Sequence, residues 1–72
     1  MPIDSSGHEF QEIPYPNGDC LRITLVRDGF YGGPSVRVQM HDVSGKLFPG
    51  PEIPTNYLPE AMAAVVRLVV TQ

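Results

Sequence analysis

Residues 34–42, PSVRVQMHD, alternate almost without error: Val36, Val38 and Met40 point one way and Ser35, Arg37, Gln39 and His41 the other. That period of two marks a strand with one face turned to a core. The run from Cys20 to Arg27 repeats the pattern, with Leu21, Ile23 and Leu25 on one face and Arg22, Thr24 and Val26 on the other. A glycine-rich connection, DGFYGGP, joins them, so the two predict an antiparallel hairpin. Setting Arg27 opposite Val36 pairs Leu25 with Val38 and Ile23 with Met40, while Val26 meets Arg37, Thr24 meets Gln39 and Arg22 meets His41. A slip of one residue would bury the arginines.

The flanking segments are less regular. FQEIPYP sets Phe10 and Glu12 against Ile13 and Tyr15 imperfectly, and Pro14 and Pro16 confine it to a sheet edge. PNGD supplies a tight turn through Asn17 and Gly18. VSGK is another turn, and KLF opens a further strand that Pro49 ends or pushes to an edge. PGPEIPTN reads as an extended crossing segment, because Pro49, Pro51 and Pro54 each remove a backbone donor, with Ile53 free to pack inward.

NYLPEAMAAVVRLVVTQ predicts a helix, with Asn56 as N-cap and Pro59 and Glu60 in the first turn. Leu58, Ala61, Met62, Val65, Leu68 and Val69 form a stripe at helical spacing that is expected to cover the sheet. The opposite side, Ala63, Ala64, Val66 and Val70, is apolar too and is interrupted chiefly by Glu60 and Arg67. A helix apolar nearly all round must bury both sides, which predicts a homodimer with Met62, Val65, Val66, Val69 and Val70 at its interface. The β-branched VVRLVV tail leaves a strand as the alternative. The expected class is α+β: a curved antiparallel sheet of about four strands followed by one C-terminal helix. Residues 1–19 read as a polar arm with a possible edge strand, and residues 20–72 as the sheet-plus-helix domain.

Size sharpens the case for a partner. A chain of 72 residues builds a single core worth roughly 3–5 kcal/mol unless a disulfide, a metal or a second subunit adds to it. One cysteine, Cys20, forms no internal disulfide and fits a reducing compartment, so a cytoplasmic protein is expected. No basic start leads into an apolar leader, and no apolar run reaches the roughly 20 residues of a membrane span. The formal charge of −3 argues against indiscriminate nucleic-acid binding. Residues 1–20 hold Asp4, Glu9, Glu12 and Asp19 with no base, whereas residues 21–47 hold Arg22, Arg27, Arg37 and Lys46 against Asp28 and Asp42. Such segregation permits a local basic face.

Catalysis is not expected. Cys20, His41 and Asp42 offer the residue types of a nucleophilic triad, but nothing nearby marks an oxyanion hole. His8, Cys20 and His41 are too far apart for a spaced metal motif, so neither a metal nor another cofactor is predicted. Glu9 and Glu12 sit in the arm, and GFYGGP lacks the lysine and the strand-to-helix context of a phosphate loop. What remains is the polar sheet face, Arg22, Thr24, Arg37, Gln39 and Lys46, with Phe30 and Tyr31 at the hairpin tip. Cations that track phosphates beside rings that stack on bases are the means by which single strands are held. A solvated face of an antiparallel sheet has a similar composition.

The segments LRITLV, PSVRVQMHD, GKLFPGPEI and LPEAMAAVVRLV resemble, in order, the strands, the PG segment and the helix start of the transcriptional coactivator family called positive cofactor four. The resemblance covers about residues 20–70 and implies a homodimer that binds single-stranded DNA in two channels, with a role in transcription, replication or repair. It implies that Arg22 is a strand cation, that Arg37 lies on the ligand face and that Lys46 is the turn cation before PG. After PG that family supplies basic residues and glycine, whereas this chain has Pro51 and Glu52. The expected function is therefore single-stranded nucleic-acid binding by a small homodimer. The competing reading is a protein-interaction module, a small regulator or phage-type inhibitor that engages another protein through its acidic arm, its KLFPG edge or its exposed aromatics.

Overall fold

The computed structural model describes residues 2–71; Met1 and Gln72, the outermost residues of the predicted arm and domain, lie outside them. Four strands, β1 (Phe10–Pro14), β2 (Cys20–Val26), β3 (Ser35–His41) and β4 (Leu47–Pro54), form one antiparallel sheet in the order β1-β2-β3-β4. A 3₁₀ turn, Thr55–Tyr57, leads into α1 (Leu58–Val70). The α+β architecture read from the sequence is the one observed. No helix among the described residues is long and apolar enough to cross a membrane.

β1 is an edge strand, as its prolines require. Its hairpin with β2 closes where Tyr15 N–H donates to the Asp19 carbonyl, and Gly18 takes φ +94°. The turn between β3 and β4 is organised by Asp42, whose Oδ1 accepts hydrogen bonds from Ser44 N, Ser44 Oγ and Lys46 N.

Two expectations about the strands are corrected. The β2–β3 register places Leu25 opposite Val36, Ile23 opposite Val38 and Leu21 opposite Met40, two residues away from the predicted pairing. A two-residue slip keeps every side chain on its face, so alternation alone cannot exclude it. The proline-rich stretch after Phe48 is also a strand and not an irregular crossing. β4 runs through Pro49, Pro51 and Pro54 as the other edge of the sheet, with a bulge that sets Gly50 and Pro51 against Val38 alone. Gly50 is required there: a Cβ would run into the Val38 carbonyl oxygen.

The helix departs furthest from expectation. α1 extends through the β-branched tail to Val70, with Pro59 in its first turn, but Tyr57 and not Asn56 occupies the N-cap, and no side chain caps the helix. The predicted stripe does not cover the sheet. Leu58 and Ala61 are half-buried, and every residue from Met62 to Val70 is exposed. Among the described residues, α1 packs chiefly on the 3₁₀ turn that precedes it. Among the described residues few side chains are buried at all: Val26, Thr24 and Ser35 lie below 5% exposure.

Candidate nucleic-acid interface

Register assigns each candidate residue to a face. Phe10, Thr24, Arg37 and Glu52 form one row across the four strands, and Glu12, Arg22, Gln39 and Pro49 form the next. Cys20, His41 and Leu47 continue the same face towards the β3–β4 turn. Arg22, Thr24, Arg37 and Gln39 therefore share one surface, as the alternation predicts. Lys46 does not join them. Its ammonium lies 5.0 Å from the ring centre of Phe48, and Phe48 stands opposite Met40 on the apolar face.

The arginines are already engaged. Arg22 donates from Nε and Nη2 to Glu12 Oε2 at 3.1 and 2.9 Å, with its guanidinium 4.1 Å above the Phe10 ring centre. Arg37 donates from Nε and Nη2 to Glu52 Oε2 at 3.3 and 3.2 Å. The other Glu52 oxygen accepts from Phe30 N and Ser35 Oγ, each at 2.6 Å. Both carboxyls are held below the usual glutamate range: Glu12 by the Arg22 hydrogen bonds and then the Cys20 thiol, Glu52 by the Ser35 hydroxyl and the Phe30 amide, with Arg37 adding to them. Two arginines against two glutamates leave this part of the face neutral. Cys20 donates to Glu12 at 3.3 Å, and desolvation, followed by that carboxylate, raises its thiol pKa, the opposite of what a nucleophile needs.

The Arg27–Pro34 loop is fixed from beneath. Gly29 lies against Ser35 Oγ and the Glu52 carboxylate, where no Cβ would fit. This seat carries Phe30 and Tyr31 outwards as an exposed edge-to-face pair with ring centres 5.3 Å apart. Tyr31 also borders an open groove of about 710 Å³ that runs past Pro34 and Pro54 to Asn56 and Tyr57. The expected ligand residues thus fall into three places: a neutral polar face, an aromatic tip, and Lys46 on the reverse side.

Glu12, Glu52 and Phe10 were missing from the sequence-based site. Counting outwards from a two-residue turn at Asn17 and Gly18 sets Glu12 opposite Ile23; the observed loop holds three residues, 16–18, closed by Tyr15 and Asp19, and sets Glu12 opposite Arg22, so the turn residues alone gave that pair no readable signal. Glu52 had none, because the bulge at Gly50–Pro51 determines which face it joins. The Thr24 hydroxyl and His41 Nε2 are buried without a hydrogen-bond partner among the described residues, and no cluster of three or more His, Cys, Asp or Glu side chains there is placed to hold a metal. No family model, curated protein or solved structure matches the chain.

Proposed function

We propose that this chain is a self-associating protein-recognition module of the cytoplasm, working as a homodimer. One observation carries the reading: the apolar side chains of α1 stay open to solvent, with Val66, Leu68, Val69 and Val70 all at 60% exposure or more. Contiguous apolar surface on that scale marks an association site. Phe30 and Tyr31, with Tyr57 across the groove that Tyr31 borders, offer a second, uncharged surface on which a protein partner can dock. Light scattering at micromolar concentration tests the association. A mass twice the 7.9 kDa of the chain is expected, and a mass of one chain would refute it.

A second reading, single-stranded nucleic-acid binding in transcription or replication, is favoured by the Arg22 guanidinium lying over the Phe10 ring in the row that also holds Gln39. It ranks lower because a phosphate would have to displace Glu12 or Glu52 from the arginine it engages. Anisotropy of a labelled single-stranded oligonucleotide separates the two readings. Phosphate binding weakens steeply with salt and is abolished by alanine at both Arg22 and Arg37. Binding that survives those substitutions would sink this site.

A further inference from the structure

The second uncovered surface belongs to the sheet. Leu21, Ile23 and Leu25 of β2 and Val36, Val38 and Met40 of β3 line one face, and each is only half-buried. The three buried side chains, Thr24, Val26 and Ser35, all lie on the opposite, polar face. Among the described residues the apolar sheet face is therefore without a covering layer and the apolar helix without a sheet beneath it. Stable domains pair such layers.

Size agrees with a missing partner. The chain exposes 5368 Å², roughly 950 Å² more than the about 4400 Å² expected of a folded monomer of its mass. A standard interface removes about 800 Å² from each partner. The radius of gyration is 13.4 Å, against about 11 Å for a compact domain of this length.

We infer that the helix α1 of one chain lies on the apolar sheet face of a second copy, and that the exchange is reciprocal about a two-fold axis. The inference rests on the self-association proposed above and extends it from the helix to the sheet. A second copy is the occupant that fits, because each surface supplies the layer the other lacks, and an isologous interface lets both be covered at once. Charge agrees. Glu60 and Arg67 lie seven residues, about two turns, apart on the same side of α1. Where the two helices also run antiparallel beside each other at the two-fold, this spacing would set Glu60 of each chain beside Arg67 of the other.

Two measurements test it. Ile23→Lys, on a sheet face that no described element of its own chain covers, is expected to weaken the dimer at least tenfold by light scattering. Separately, Ile23→Cys and Val65→Cys chains, each carrying Cys20→Ser and distinguished by a tag, are mixed and oxidised. A disulfide between the two kinds of chain is expected. Absence of that cross-link from a preparation that retains dimer mass would overturn the sheet contact and leave a dimer joined by helices alone. A monomeric wild-type mass would overturn this inference and the self-association together. The cross-link reads the contact even where the lysine variant fails to fold.

Discussion

Glu52 concentrates more of the local structure than any other side chain in the sheet. One carboxylate holds Arg37, the Ser35 hydroxyl and the Phe30 amide, so it joins β4 to β3 and seats the aromatic tip. Because its pKa and that of Glu12 are depressed in the fold, the stability they contribute is complete above the unfolded glutamate value of about 4.3 and is lost as pH falls through the lower folded values. The urea midpoint, followed by circular dichroism, is expected to hold steady from pH 7 to 5 and to drop below pH 4. Glu52→Gln should lower the midpoint at pH 7 and flatten the acid drop; an unchanged profile would deny this carboxylate its role. Gly50 exerts its effect through space instead of charge. Alanine there meets the Val38 carbonyl oxygen, and relief requires the bulge to shift, at a cost of about 1–3 kcal/mol by analogy with overpacked sites. Equilibrium denaturation of Gly50→Ala measures it directly.

At the level of elements, the sequence was informative wherever a period could be counted. The alternation in β2 and β3 identified both strands and both faces, and the helical spacing after Asn56 located α1. Parity was the limit of that signal. Cys20 to Arg27 and Ser35 to Asp42 match equally well at registers two apart, and only the length and seat of the Arg27–Pro34 loop decide between them. β4 was read only at its start, KLF, and its continuation past Pro49 was not, for a different reason. Proline forbids donation to a neighbouring strand, which is a bar in the middle of a sheet but not at an edge, and three prolines together concealed the rest of a strand that needs few donors. The helix is a case of correct local reading and incomplete tertiary reading, since periodicity shows that a face must be covered without showing what covers it. α1 is 13 residues long, with no side-chain cap, a length at which isolated helices are marginal. A peptide of residues 55–72 is accordingly expected to be less than about one-third helical at 25 °C by circular dichroism. A strongly helical peptide would mean that α1 needs no partner surface to form.

The whole molecule is a sheet and a helix held apart, with principal extents of 35 × 34 × 21 Å and, among the described residues, three side chains below 5% exposure. So small a buried set cannot offset the conformational entropy of ordering about 70 residues, which costs on the order of 1–2 kcal/mol for each backbone unit. Folding and association are therefore expected to be one process. Concentration is the variable that exposes it. When two unfolded chains form one native dimer, a tenfold rise in protein adds about 1.4 kcal/mol to the stability of the dimer by mass action. For a unit of about 150 residues that corresponds to a rise of about 4 °C in the thermal midpoint. Scans at 2, 20 and 200 μM should thus show midpoints climbing by about 4 °C at each step, whereas a chain that folds alone gives the same midpoint at all three. Ile23→Lys should abolish the climb if the sheet face belongs to the interface, because the variant then neither associates nor folds over this range of concentration. A dimer confined to the helices would keep the climb in that variant and lose it in Val66→Glu, so the two substitutions, read through one thermal measurement, assign the surface on which folding of this chain depends.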